Sequence, residues 1–214
     1  MTFDGDDLRE RLGQVRWLGG GSGAGKSTVA ARLAVEHGLQ VYSADEAMAG
    51  HARRTSVQDS PRLAEFLAMS MDQRWCDRSP EVMLETFHWY RGEAFGLIVE
   101  DLLALPPTPI IVEGFRLLPH FVQPLAHPGR AAWLLPSPRL RRMALVARGS
   151  LWEIAERTSD PDRALANLLE RDAMFTVRLR TSVHPLALPA VEIDTDVSLD
   201  TVTTRVAAIL GLDG

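Results

Sequence analysis

Lysine is almost missing from this chain: of its 23 lysine and arginine residues, 22 are arginine and Lys26 is the one lysine. Cysteine is as scarce. Cys76 stands alone, which excludes an intramolecular disulfide and a zinc site built from several cysteines. No apolar run approaches the length that spans a bilayer, and the acidic start (Asp4, Asp6, Asp7) lacks the basic region of a secretion signal. A basic excess is lacking too. The net charge of −5 argues against nucleic acid as the main partner. These absences predict a soluble, cytoplasmic protein with no membrane partner. What remains, 214 residues with 46% hydrophobic and 24% charged side chains, is enough for a single α/β domain with a full core over residues 1–214.

The solitary lysine sits in Gly20-Gly21-Ser22-Gly23-Ala24-Gly25-Lys26-Ser27-Thr28, which matches G-x-x-x-x-G-K-[ST] at every fixed position. The spacing has a physical reason. Glycines let successive backbone N–H groups curl around an anionic oxygen, and the helix that follows adds the positive end of its dipole. Lys26 then reaches the β- and γ-phosphates of a nucleotide, and the Ser27 hydroxyl is placed to ligate Mg²⁺. A compact ammonium kept only here fits a place where a planar guanidinium does not. The context agrees: Val15–Leu18 reads as a strand and Ser27–His37 as a helix, the strand–loop–helix order that the motif requires.

Further strands are expected at Leu39–Tyr42, Ile110–Val112, Ala131–Leu135 and Ala190–Ile193, with helices between them. The segment from Pro61 to Ala104 reads as mostly helical, with Met83, Phe87, Tyr90, Ala94 and Leu97 at helical spacing. Helices are also expected over Leu140–Ala147, from Pro161 to about Thr181, and over Leu199–Leu210, with another starting at Ser43–Glu46. Short apolar strands alternating with helices predict an α/β fold with a doubly wound, five-stranded parallel sheet. Two helical excursions are expected, an acceptor-binding region at about 45–105 and a lid at about 137–172.

With Lys26 committed to the loop, the N-K-x-D motif that reads guanine in many GTPases is excluded, and the Ser-Gly-Gly signature of transporter ATPases is absent. Two carboxylates point elsewhere. Asp45 follows the second strand and Glu113 ends the third, so both fall at the carboxyl edge of the sheet beside the glycine loop. Asp45 is open to reading as a helix N-cap and Glu113 as half of a strand-end salt bridge. Two carboxylates at one edge favour a functional role for each.

On these residues the chain resembles the small-molecule kinases of the phosphate-loop superfamily, especially the uridine kinase, phosphoribulokinase and pantothenate kinase group. Similarity extends to nucleotide kinases and small antibiotic-modifying kinases. The shared features are the loop, an aspartate after the second strand, an apolar strand ending in Glu-Gly (Ile111-Val112-Glu113-Gly114), and an arginine-rich segment, Arg139-Leu140-Arg141-Arg142 with Arg148-Gly149. The aromatic pattern that the group carries after its aspartate is replaced here by Asp45-Glu46-Ala47-Met48. The resemblance implies an ATP- and Mg²⁺-dependent transfer of the γ-phosphate to a hydroxyl of a small molecule; the alternatives are an ATP-binding regulatory or interaction protein with little turnover, or a kinase acting on a nucleic-acid end.

In that mechanism Lys26 and the loop amides hold the phosphates, Ser27 and Glu113 organise the metal, and Asp45 accepts the acceptor's proton. The roles of Asp45 and Glu113 are interchangeable on sequence alone. Arginines from a lid would meet the transferring group: Arg148 first, then Arg141, which shares its helix face, then Arg142, with Arg171 from the returning helix. Asp45, His51, Arg54, His88 and Arg91 are the candidate acceptor contacts. Phe87 and Tyr90 are expected in the core, and Trp89 and Trp152 in buried packing.

Overall fold

A computed structural model describes residues 5–213. Its centre is one all-parallel sheet of five strands: β1 (Val15–Gly20), β2 (Gln40–Ser43), β3 (Ile110–Glu113), β4 (Ala131–Pro136) and β5 (Ala190–Ile193). The spatial order is β2-β3-β1-β4-β5. Each strand lies within two residues of its expected place, because short apolar runs bounded by glycine, proline or polar residues leave little freedom of register. β3 and β4 are buried along their whole length, as strands covered on both faces must be.

Alternate residues of each strand face opposite layers. On one face Trp17, Val112, Trp133 and Leu135 pack against the helices Phe95–Ala104 and Pro161–Val183. On the other, Leu18, Ile111, Ala132 and Leu134 pack against Lys26–His37 and Leu199–Ile209. Trp133 is fully buried, and its indole N–H donates to the Leu117 carbonyl (2.9 Å), so its bulk costs no unpaired donor. A third apolar cluster, including Trp75, Met83, Leu145, Leu151 and Leu168, lies away from the sheet and ties the helical excursions together.

The order of strands reverses direction around β1, from β2 on one side to β4 on the other. Register brings the ends of β1, β2 and β3 level: Leu18 and Ser43 both lie opposite Glu113. A crevice at the carboxyl ends of such strands is where open α/β sheets hold ligands.

The structure departs from expectation between residues 83 and 97. Helix Pro80–Thr86 ends, His88–Arg91 forms a single 3-10 turn, and a new helix starts at Phe95. Gly92 (φ 80°) and Ala94 (φ 57°) take left-handed conformations that no continuous helix allows. The break turns His88 and Trp89, which a continuous helix carries away from the apolar stripe, into the interior. Three short helices were also not anticipated: Gly5–Arg11, Pro119–Val122 and Ser150–Ala155. Ser43 ends β2, residues 44–47 form a turn, and the helix after β2 begins only at Met48. Among the described residues, no helix is long and apolar enough to cross a membrane.

Candidate functional site

The glycine loop joins β1 to helix Lys26–His37, with Gly25 at φ 77° making the entry. A side chain at Gly25 would be strained in that conformation, so glycine lets the helix start abruptly. No side chain caps the helix, which leaves its first N–H groups directed at the loop. Lys26 is buried, and its ammonium donates to the Gly21 carbonyl at 3.0 Å. That bond folds the side chain back over the loop. Ser27 and Thr28 are exposed at the helix start, while Ser22 lines the same cavity as Lys26 and Tyr90.

Both predicted carboxylates stand at this edge. Glu113 is buried; its Oε1 accepts the Ser43 hydroxyl at 2.7 Å, and its Oε2 has no partner. No strand-end salt bridge involves it among the described residues, so that reading is set aside. Asp45 is not a helix cap either. Ala47 holds the N-cap position of helix Met48–Arg54, and the Asp45 Oδ1 instead accepts the Phe115 N–H at 3.1 Å. Gly114 makes that contact possible: a Cβ there would lie 2.7 Å from Asp45 Oδ1, and its φ of 153° disfavours any other residue. Burial raises the Asp45 pKa to about 6; Lys26 pulls it down, and the neighbouring Glu113 pushes it up again. A carboxyl poised near neutrality is suited to taking a proton.

Ser22, Lys26 and Asp45 open onto a cavity of about 420 Å³. Phe66, Trp75, Phe87 and Trp89 supply aromatic walls, and Leu145, Leu151 and Ile154 close it from the arginine-rich side. Arg171 enters from helix Pro161–Val183, bonded to Asp172 Oδ1 through Nε (3.0 Å) and Nη2 (2.7 Å). Its guanidinium lies 4.7 Å from the Phe87 ring centroid and 5.2 Å from that of Trp75, and its Nη1 has no partner. Tyr90 donates to the same Asp172 oxygen at 2.7 Å. His88 also lines the cavity. Burial, followed by the charges of Arg116 and Arg171, lowers its pKa to about 3, so the ring is neutral, and its Nδ1 has no partner.

Of the residues singled out in the sequence, Lys26, Asp45, His88 and Arg171 therefore meet at one cavity, with Glu113 beside Asp45. Others do not. His51 is buried behind the site: its Nδ1 accepts from Arg116 (2.9 Å), so Nε2 must carry the proton that bonds Asp101 Oδ2 (2.8 Å). Arg54 is on the surface, paired with Asp101 and Glu100. Arg91 is on the surface with Glu85. These three, expected as acceptor contacts, do not line the cavity. Arg141 and Arg142 line a separate hollow of about 600 Å³ with Asp162 and Glu170. Arg141 is buried, and its helix rests against Gly23 of the loop. Arg148 ends helix Pro138–Arg148, and its side chain lies outside the described residues. Trp152, expected in buried packing, is exposed, whereas Phe87 and Tyr90 serve both core and cavity.

Sequence reasoning missed Asp172 and Arg116. Asp172 had a visible signal, since it falls on the apolar stripe Leu168, Phe175, Leu179 of its helix. Arg116 had none. Its guanidinium bonds the Ala44 carbonyl (3.1 Å), the Ala94 carbonyl (3.2 Å) and His51, and lies 4.1 Å from the Trp89 ring centroid. It thus ties the residue before Asp45 to the wall of the cavity. Burial lowers its pKa to about 10, which still leaves it charged at neutral pH.

No family model and no curated protein matches the chain. Among solved structures, a similar one is an uncharacterized protein from Eubacterium ventriosum, 16% identical, with a TM-score of 0.47, covering 92% of this chain and 97% of that one. That likeness assigns neither a family nor a function.

Proposed function

We propose that this chain is an ATP-dependent phosphotransferase of the phosphate-loop type, moving the γ-phosphate to a hydroxyl of a small molecule. One observation carries the reading: the loop lysine and a carboxyl of raised pKa open on the same cavity. The loop N–H groups and Lys26 would hold the β- and γ-phosphates. A shallow apolar groove on the loop's other flank, between Gly25, Leu140 and Val197, suits a flat base. Asp45 would accept the proton of the attacking hydroxyl, and the unpartnered Nη1 of Arg171 would meet the charge that builds on the transferring group.

Magnesium fits the donors present. The exposed Ser27 hydroxyl and the unpaired Glu113 Oε2 are hard oxygen ligands, and an ion held mainly by phosphates needs few protein groups. Among the described residues no cluster of three or more metal-binding side chains exists, which fits that mode of binding. When bound, the ion would neutralise the phosphate oxygens. These assignments give Glu113 the metal and Asp45 the proton, because Asp45 lines the cavity and Glu113 does not.

Calorimetric titration with Mg·ATP, paired with label transfer from γ-labelled ATP across a panel of alcohols, tests the reading. Saturable binding that Lys26→Ala abolishes, together with transfer that Asp45→Asn abolishes, is expected. Binding without transfer to any acceptor would instead make the chain an ATP-responsive binding protein. Undiminished activity in Lys26→Ala would remove the assignment altogether.

A further inference from the structure

We propose that the acceptor is an uncharged alcohol carried on an aromatic ring, and that nucleotides and other anionic acceptors are excluded; this rests on the phosphotransferase reading above. The walls give the first reason. Phe66 meets Trp75 (centroids 5.2 Å, 71°) and Phe87 (5.6 Å, 72°) edge to face, so the cavity offers aromatic faces and edges together. A ring slotted among them gains the same geometry. About 420 Å³ lies in the lower part of the range for small-molecule pockets, room for one ring and a short hydroxylated chain.

Charge gives the second reason. Among the described residues, the cations lining the cavity are Lys26 and Arg171. Lys26 serves the donor's phosphates, and Arg171 is countered by Asp172 through two bonds while its remaining Nη1 is the group assigned above to the transferring phosphoryl. Arg116 stands behind Trp89 with its donors engaged by Ala44, Ala94 and His51. A carboxylate or phosphate on the acceptor would therefore enter beside Asp45 and Asp172 and have to compete with the donor's phosphates for both cations, a desolvation cost with little return. A nucleotide-binding acceptor site needs guanidinium groups beyond the one that meets the transferring group, and among the described residues Arg171 is the one arginine that lines this cavity.

His88 gives the third. The ring is 2% exposed, neutral, and its Nδ1 has no partner within the protein. A buried nitrogen of this kind is satisfied by one hydroxyl or amide of a ligand, which orients the acceptor without adding charge. The reacting hydroxyl then faces Asp45. Its oxygen forms a bond to the γ-phosphorus as the bond from that phosphorus to the β,γ-bridging oxygen breaks. The bridging electrons leave with ADP, and the hydroxyl proton passes to the Asp45 carboxylate.

Four probes decide it: 1-phenyl-1,3-propanediol, the same diol with a para-carboxylate, glycerol, and uridine monophosphate. Trp75 and Trp89 line the cavity, so intrinsic fluorescence reads occupancy without nucleotide. The neutral aryl diol is expected to bind at least about tenfold more tightly than each of the other three, and to be the best acceptor of label from ATP. His88→Leu should weaken it by about tenfold, and Ile154→Phe, which fills the cavity from a partly buried position, should abolish the signal in a protein with wild-type circular dichroism. Tighter binding of the carboxylate or of uridine monophosphate, or a diol signal indifferent to Ile154→Phe, overturns the proposal. The two readings separate cleanly. Preferred transfer to uridine monophosphate or glycerol keeps the phosphotransferase and overturns the aromatic acceptor. Preferred binding of the aryl diol with no transfer to any probe supports the pocket's chemistry and overturns the phosphotransferase.

Discussion

Two clusters of buried and half-buried polar groups adjoin in this molecule, with Trp89 packed against Arg116 of one and lining the cavity of the other. In the first, the rear cluster, Arg116, His51, Asp101 and Tyr42 form a continuous network: Tyr42 donates to Asp101 at 2.7 Å, and Asp101 also receives His51 and Arg54. Burial alone would raise the Asp101 carboxyl, but the bonds from His51, Tyr42 and Arg54 outweigh it and hold the pKa at about 2. In the front cluster, Glu113 Oε2, His88 Nδ1 and Arg171 Nη1 are all unpartnered, and Asp45 sits at a pKa of about 6. A satisfied network holds structure, whereas an unsatisfied one costs stability and is kept for what it binds. In the proposed phosphotransferase the rear cluster would position and the front cluster would act.

Substitutions should separate the two. The largest effect is expected from Lys26→Ala, with transfer falling on the order of 10³-fold and Mg·ATP affinity lost, while the melting temperature without nucleotide stays near wild type. Next comes Asp45→Asn, with transfer reduced about 10²- to 10⁴-fold and ATP affinity retained. The same change should stabilise the protein. Because the folded-state pKa of Asp45 is raised from 3.8 to about 6, the folded protein holds this proton more tightly than the unfolded chain. Its stabilising contribution is full below pH 4 and is lost as pH rises through 6, at most about 3 kcal/mol because the carboxyl keeps some solvent contact. Melting at pH 7.5 and pH 4 should therefore show Asp45→Asn ahead only at the higher pH.

Arg116→Met reverses the pattern. Removing the guanidinium leaves His51 Nδ1 and the Ala44 carbonyl unpaired, so denaturant unfolding should show a loss of about 2–4 kcal/mol. Because ATP does not touch Arg116 in this account, the surviving folded protein should bind Mg·ATP as before. If Arg116→Met lost ATP affinity and kept its stability, the division into rear and front clusters would fail. The smallest effects belong to Arg54→Ala and Arg91→Ala, both solvent-facing pairs: melting temperature and transfer should match wild type.

The sheet was legible because apolar runs such as Ile110–Val112 and Ala131–Leu135 have one stable use in a chain of this size. Lys26 and the loop were legible for the same local reason, since the whole motif lies in nine consecutive residues. Asp45 and Glu113 followed from the sheet, as strand ends share an edge. The cavity was harder. The stripe from Met83 to Leu97 fits helical spacing residue by residue, and only Gly92 hinted at the turn that brings His88 inward. His51 shows the limit most plainly. Its role is set by Asp101 and Arg116, which lie far along the chain and are joined to it only by packing.

The most direct measurement is the rate of label transfer from γ-labelled ATP to the acceptor panel between pH 5 and 8, for wild type and Asp45→Asn at saturating ATP. With Asp45 as the base, wild-type transfer rises through about pH 6 and levels off, while the variant binds ATP but stays at least about 10²-fold below the wild-type plateau, with no rise through pH 6. Transfer by Asp45→Asn at the wild-type rate, or a wild-type profile flat across pH 6, would contradict the account.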